Sequence, residues 1–311
     1  MIHARRVFVS FPAEEHLTPQ GQALTRKIIA RIKDAKLKPE LFFGHFQDGL
    51  AAGKQWTKEQ FEDVIRRCVG AVIIGLPRHI VTRDGQQEHF ASEYCHYEGA
   101  VANTYGLPTL TLKYRTIEPR GIFHGVKEFY LEVPQDEDLT AWLQTDTFEA
   151  QFKTWAAKVH KQKDVFLGYC GQAQKTAEAV ENFLEGIGVS VLAWQGGFSL
   201  GGTILEEIQK AAATCTTGVF LFTRDDAIDT GTEQRMSPRD NVVFETGFFC
   251  HAKGKERVLM IVEEGAKIPT DLGGNIYASL PKRKKSWLKK SDTADIKAIT
   301  PRLEKFLKDR I

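Results

Sequence analysis

Short apolar runs and amphipathic stretches alternate along the chain, and the alternation is gone through twice. In the first half, residues 7–11 (VFVSF) read as a buried strand, 20–35 as an amphipathic helix, 41–43 as a second strand and 57–68 as a helix. Residues 71–76 (AVIIGL) make a fully apolar strand, 90–105 a helix, 109–113 a strand and 129–133 an edge strand. Continuous apolar strands separated by helices predict a parallel sheet covered on both faces. After an acidic stretch at 135–138 and a helical pattern at 139–160, the order restarts. Strands are expected at 165–169 (VFLGY), 189–194, 218–223 (GVFLFT) and 258–262, with helices at 175–186, 203–213 and 241–251.

The two passes agree in spacing. Ile74 precedes Glu98 by 24 residues, and Leu221 precedes Glu245 by 24. The strand opening at Thr109 lies 11 residues past Glu98, and the one at Val258 lies 13 past Glu245. The expected fold is therefore α/β with two domains, each a parallel sheet flanked by helices. The expected organisation is a domain at 1–135, a helical connector at 136–162, a second domain at 163–281 and a basic helical tail at 282–311. That tail carries Lys282, Arg283, Lys284, Lys285, Lys289 and Lys290 ahead of a helical pattern through Leu303, Phe306 and Leu307. It reads as a solvated helix end, or as a patch for an anionic partner, because clustered bases raise the local potential.

Composition narrows the classes. At 311 residues there is room for two cores, and 42% hydrophobic with 26% charged residues is the balance of a globular chain. A formal charge of +2 predicts attraction neither to nucleic acid nor to a membrane. Five widely spaced cysteines without a Cys-x-x-Cys pair argue against zinc and against a disulfide framework. No apolar run reaches the ~18 residues of a membrane span, and no signal peptide is expected at the start. A cytoplasmic protein is the expectation.

The chemistry concentrates in 237–249 (SPRDNVVFETGFF), where Glu245 sits among Val242, Val243, Phe244, Phe248 and Phe249. A carboxylate turned inward on a helix is costly unless it has a partner or a task. Glu98, in 92–100 (SEYCHYEGA), is its counterpart 147 residues earlier. Ligands of open parallel sheets bind beyond the carboxyl ends of the strands. Three pieces of the second pass should converge there: Gly168 to Gly171, the loop from Trp194 through Phe198 to Thr203, and Arg224 to Asp226 with the Arg239-Asp240-Asn241 turn. Trp194 or Phe198 could stack on a ring, glycines allow close backbone approach, and amides after Thr203 could hold a phosphate. Plainer readings stand beside these: turn glycines, a core Trp194, a capping pair Arg239–Asp240, a solvated Asp225–Asp226. No G-x-G-x-x-G or Walker signature is present. A lone desolvated carboxylate can hold ribose hydroxyls and stabilise an oxocarbenium-like transition state. That suffices when the leaving group is already cationic, as nicotinamide is in NAD.

Residues 165–280 resemble the TIR-like domain of bacterial anti-phage effectors of the CBASS and Pycsar type. The resemblance is carried by VFLGY, LAWQGGFSLGGT, GVFLFTRDD, SPRDNVVFETGFF and GKERVLMIV. The first pass resembles a conventional Toll/interleukin-1 receptor (TIR) domain: Arg6 to Phe11 is similar to its first box, Asp48-Gly49-Leu50 with Gly53 to its BB loop, and Ser92-x-Tyr94-Cys95-x-x-Glu98 to its S-x-W-C-x-x-E motif. The resemblance implies a flavodoxin-like (TIR-like) fold for both domains, and NAD cleavage to nicotinamide and an ADP-ribose product. It places the catalytic acid on Glu245 in the second pass and on Glu98 in the first, and the substrate pocket on Tyr169, Trp194, Phe198, Arg239 and Asp240. Gln195 and Thr246 depart from the residues common after the Trp and the Glu. No cofactor is expected, NAD being the substrate. A cyclic nucleotide or a protein is the implied activator, and the active form is expected to be a homo-oligomer. Two rivals remain: a nucleotide-sensing adaptor without catalysis, and a nucleoside deoxyribosyltransferase-like enzyme.

Overall fold

In the computed structural model, residues 5–41, 57–125, 130–135, 138–194, 203–229, 234–282, 295–308 and 310–311 are described. The BB-loop residues Asp48, Gly49, Leu50 and Gly53, the glycine loop with Gln195 and Phe198, and Arg283 to Lys290 of the basic stretch lie outside them. The chain divides into two compact units, Ala4–Lys161 and Gln162–Ile311.

In the N-terminal unit, Arg6–Ser10 pairs on one side with Lys38–Glu40 and on the other with Cys68–Gly75. Thr109–Tyr114 and then Leu131–Val133 continue the sheet, every pairing parallel. In sequence order the strands run 2-1-3-4-5. The C-terminal unit repeats that order with Val191–Ala193, Lys163–Gly168, Cys215–Phe222, Val258–Glu263 and Ile276–Leu280. This is the flavodoxin-like doubly wound arrangement, and the expected fold class is borne out.

Strand register makes the repeat exact enough to pair residues. Ser10 lies opposite Ile73, and Gly168 lies opposite Phe220. Counting from these, Glu98 and Glu245 each follow the paired residue by 25 positions. Ser10 and Gly168 therefore occupy the same place in the two units.

Several elements differ from the expectations. Lys38–Glu40 forms an edge strand, where Pro39 is tolerated, while residues 42 and 43 of the strand expected at 41–43 lie outside the described ones. The helix expected at 90–105 begins at Glu93, where the Ser92 hydroxyl accepts from the Tyr94 amide. Ahead of it lies an antiparallel hairpin, His79–Arg83 with Gln86–Phe90. A second hairpin, Asp226–Asp229 with Gln234–Ser237, occupies the same place in the C-terminal unit. The helical pattern at 139–160 forms two helices, Leu139–Trp142 and Asp146–Lys161, because the Thr145 hydroxyl bonds the Trp142 carbonyl and accepts from the Phe148 amide. Phe148, Phe152, Trp155 and Val159 recur at helical spacing and pack into the N-terminal core. Gly70 has no side chain because a Cβ there would lie 2.6 Å from Val159 Cγ2. At the chain's other end, Thr300–Lys308 turns Leu303, Phe306 and Leu307 into the C-terminal core. Buried Arg257 donates from Nη1 to the Arg310 carbonyl at 2.8 Å. Among the described residues, no helix is long and apolar enough to cross a membrane.

Candidate active site

The Asp240–Lys253 helix buries Val242, Glu245, Thr246 and Phe249, the i, i+3, i+4, i+7 stripe of an inward helix face. Glu245 is on that stripe by register alone and is only 2% exposed. Its carboxyl group crosses the end of the first strand: a Cβ on Gly168 would stand 3.1 Å from Glu245 Oε2 and 2.5 Å from Phe220 Cδ1. Glycine is what lets the acid lie against the strand. Below it, Phe166 and Phe249 stack at 4.8 Å, and Phe220 meets Phe249 edge-on at 5.3 Å. Oε2 is buried and has no hydrogen-bond partner among the described residues. Burial is the cause that lifts the carboxyl from 4.5 to about 8.

This acid faces a cavity of about 720 Å³, of ordinary ligand-site size. Tyr169, Trp194, Arg239 and Glu245 all line it, so four of the five expected C-terminal pocket and acid residues in the described parts converge. The fifth, Asp240, is exposed in the first turn of the helix and is not part of the lining. Phe198 lies outside the described residues. The Trp194 ring meets Phe166 edge-on at 5.9 Å, and its amide donates to Leu167 O at 2.9 Å, so it is anchored at the cavity wall. Arg239 starts the helix without a side-chain cap, and its Nε lies 3.4 Å from Asp226 on the hairpin. That pair replaces the capping pair with Asp240. Asp225 is no solvated cap either, since Thr223 Oγ1 donates to its carboxylate at 2.8 and 2.9 Å. The phosphate site expected after Thr203 finds little support: Thr203 and Glu206 close a capping box, and Glu206 and Glu207 make that first turn acidic.

Among the lining residues not singled out from the sequence are two acids. Glu178 and Glu181 project from the Gln174–Gly186 helix into the same cavity. Burial and the neighbouring acids Glu185 and Glu178 raise the Glu181 carboxyl. Burial and then Glu181 and Glu178 raise the Tyr169 phenol. The available signal was the i, i+3 spacing of the two acids on a helix that follows the first strand directly.

The counterpart acid is hydrogen-bonded. Cys95, Glu98, Gly99 and Ala102 form the equivalent inward stripe, and Glu98 is 6% exposed. Here Ser10, standing where the C-terminal unit has Gly168, donates from Oγ to Glu98 Oε2 at 2.5 Å. Ile122 fills the space above Gly99, where a Cβ would come within 2.1 Å of its Cδ1. Burial, and then the Glu98 charge, push the Cys95 thiol up to about 12. One acid is hydrogen-bonded within packing; the other ends at a cavity with an oxygen unmet.

The C-terminal unit is thus a doubly wound α/β domain with a buried acid at the carboxyl edge of its central strands. Residues 164–282 match the family described as CAP12/Pycsar effector protein, TIR domain, so the C-terminal unit carries a TIR domain of that type. It is similar to CD-NTase-associated protein 12 of Sphingobacterium faecium, 32% identical over 113 residues, 36% of this chain and 35% of that protein. The Pycsar effector protein PaPycTIR of Pseudomonas aeruginosa is 31% identical over 118 residues, 37% of this chain and 38% of the effector. The matched stretch thus spans little more than a third of either effector. A longer likeness, 24% identical over 216 residues, covers 68% of this chain and 64% of the uncharacterized protein YuaY of Escherichia coli.

Proposed function

We propose that the C-terminal unit cleaves the N-glycosidic bond of NAD, releasing nicotinamide, and that the protein serves as an anti-phage effector. The observation that carries this reading is Glu245: buried, with one carboxyl oxygen unmet, at the wall of a cavity it shares with Trp194 and Tyr169. The likeness to effectors named for CD-NTase association and for Pycsar supports the defence role and a cyclic-nucleotide signal.

The steps follow from the residues. Trp194 and Tyr169 offer aromatic faces to the pyridinium ring. A cation arriving near a desolvated carboxyl favours its ionised form, so substrate binding deprotonates Glu245 and creates the attractive charge at that moment. As the C1′–N bond lengthens, positive charge moves from the ring onto the ribose, and the Glu245 carboxylate stabilises it in a low-dielectric setting. Nicotinamide leaves neutral, water adds at C1′ and loses a proton, and ADP-ribose results. Self-association and a nucleotide signal are proposed as the trigger. The Ser10-bonded Glu98 favours assigning no chemistry to the N-terminal unit and leaving it a binding or adaptor role.

The test is chromatographic. Concentrated full-length protein is incubated with NAD, with and without cyclic nucleotides, and nicotinamide and ADP-ribose are followed. Stoichiometric appearance of both is expected. Base exchange on deoxynucleosides with NAD left intact would replace this reading with the deoxyribosyltransferase one.

A further inference from the structure

A second cavity, of about 620 Å³, belongs to the N-terminal unit and plays no part in the proposed reaction. It lies beyond the carboxyl end of Cys68–Gly75, bounded by the His79–Arg83 and Gln86–Phe90 hairpin and by Arg120. Open parallel sheets take their ligands on this side. We propose that it binds a phosphorylated ligand carrying a flat apolar ring, a mononucleotide in chemical class, with Arg78 and Arg120 as the phosphate-holding pair.

Charge is the first argument. Arg78, Arg83, Arg120 and His79 line the cavity against two acids, Glu88 and Glu93. Each acid has a neighbour: His79 Nε2 lies 3.3 Å from Glu93, and Arg83 Nη1 lies 4.0 Å from Glu88. Among the described residues the Arg78 guanidinium pairs with no carboxylate, and Arg120 rests on the face of Phe90 with its Cζ 4.5 Å from the centroid. Two guanidinium groups are thus left for an anion, and their planar forks suit phosphate oxygens.

The second argument is apolar surface. Ile80 and Val81, 58% and 44% exposed, line the same cavity. Large aliphatic side chains beside unpaired guanidinium groups fit a ligand that is anionic at one end and flat at the other.

The third comes from the internal repeat. Counting from the Ile73 and Phe220 register positions, Arg78 and His79 stand where the C-terminal unit has Asp225 and Asp226. The sign of charge at this edge is inverted between the units, while the acid beneath is held by Ser10 in one and left unmet in the other. The bases Arg78 and His79 line the N-terminal cavity, whereas Asp225 and Asp226 do not line the C-terminal one, so the N-terminal cavity sits at its own place in the repeat. The inference stands whether or not the C-terminal unit hydrolyses NAD.

The test is calorimetry on the full chain at low salt with 5′-AMP, 3′,5′-cyclic AMP, adenosine and inorganic phosphate as probes. At least one nucleotide should bind tenfold or more tightly than adenosine or phosphate. Arg78→Glu and Arg120→Glu should each weaken it at least tenfold, Arg78→Lys by less, and Trp194→Ala in the other cavity should leave it unchanged. Arg120 is exposed, so its variant reports on binding even if Arg78→Glu disturbs folding. Absence of nucleotide binding, phosphate binding as tightly as the nucleotides, or loss on Trp194→Ala with retention on Arg120→Glu would each overturn the proposal.

Discussion

Replacing Glu245 by Gln should stabilise the protein, and increasingly so as pH rises. The native state holds the Glu245 proton up to about pH 8, whereas the side chain's ordinary value is 4.5. Between those values the native state binds more protons than the unfolded chain, so stability falls as pH increases. Each pH unit across that window is worth about 1.36 kcal/mol. Across the whole window the loss is at most ~5 kcal/mol, an upper bound because local relaxation and water entry soften burial. Gln is nearly isosteric with the protonated acid and cannot ionise, so it removes the loss without opening a cavity. Urea unfolding of wild type and Glu245→Gln from pH 5 to pH 8.5, read on the transition that the substitution moves, gives the comparison. The two proteins should be alike near pH 5 and diverge by several kcal/mol at pH 8. Parallel curves over the whole range would refute the claim that the acid is desolvated and uncompensated.

Other consequences are as specific. Ser10→Ala removes a hydrogen bond to buried Glu98 and should cost about 1–3 kcal/mol, read by denaturant unfolding, while leaving any NAD turnover intact. Phe148→Ala should cost about 3–5 kcal/mol, since Phe148 is fully buried in the N-terminal core; a neutral result would mean that the Asp146–Lys161 helix is only laid against the unit. In kinetics, kcat/KM for NAD should rise through pH 8, where free Glu245 ionises, and kcat should rise at lower pH because the bound pyridinium favours the carboxylate. Coincident limbs in the two profiles would argue against contact between Glu245 and the cationic ring.

Much of this was readable from the chain, and the reasons differ by feature. Apolar strands such as 71–76 and 218–223 announce themselves because both faces of a parallel sheet are covered, so burial does not alternate. The equal spacing to Glu98 and Glu245 survives because the central strand keeps its length, His79 to Phe90 spans as many residues as Asp226 to Ser237, and each helix starts at the same distance past its hairpin. The hairpins were overlooked although Asp84-Gly85 is a two-residue turn signal; both residues adopt positive φ, 50° and 79°. The exposed His79–Arg83 strand has no apolar face turned to the core to mark it. Tyr169, Trp194, Arg239 and Glu245 could be grouped beforehand because topology alone brings strand ends together. Glu178 and Glu181 share a face by their i, i+3 spacing, but whether that face meets the cavity depends on how the helix is rotated on the sheet. The distinction between the two acids was present as VFVS against VFLG, but its meaning needed the hydrogen bond from Ser10 and the close approach over Gly168.

The central claim is that an unmet, buried Glu245 is the working acid and that Glu98 is a hydrogen-bonded core residue. Nicotinamide release from NAD by wild type, Glu245→Ala and Glu98→Ala under one assembly condition tests it most directly. The account predicts turnover in wild type, at least a hundredfold loss in Glu245→Ala, and retained activity in whatever fraction of Glu98→Ala folds. Turnover that survives Glu245→Ala, or that vanishes in folded Glu98→Ala, would contradict it.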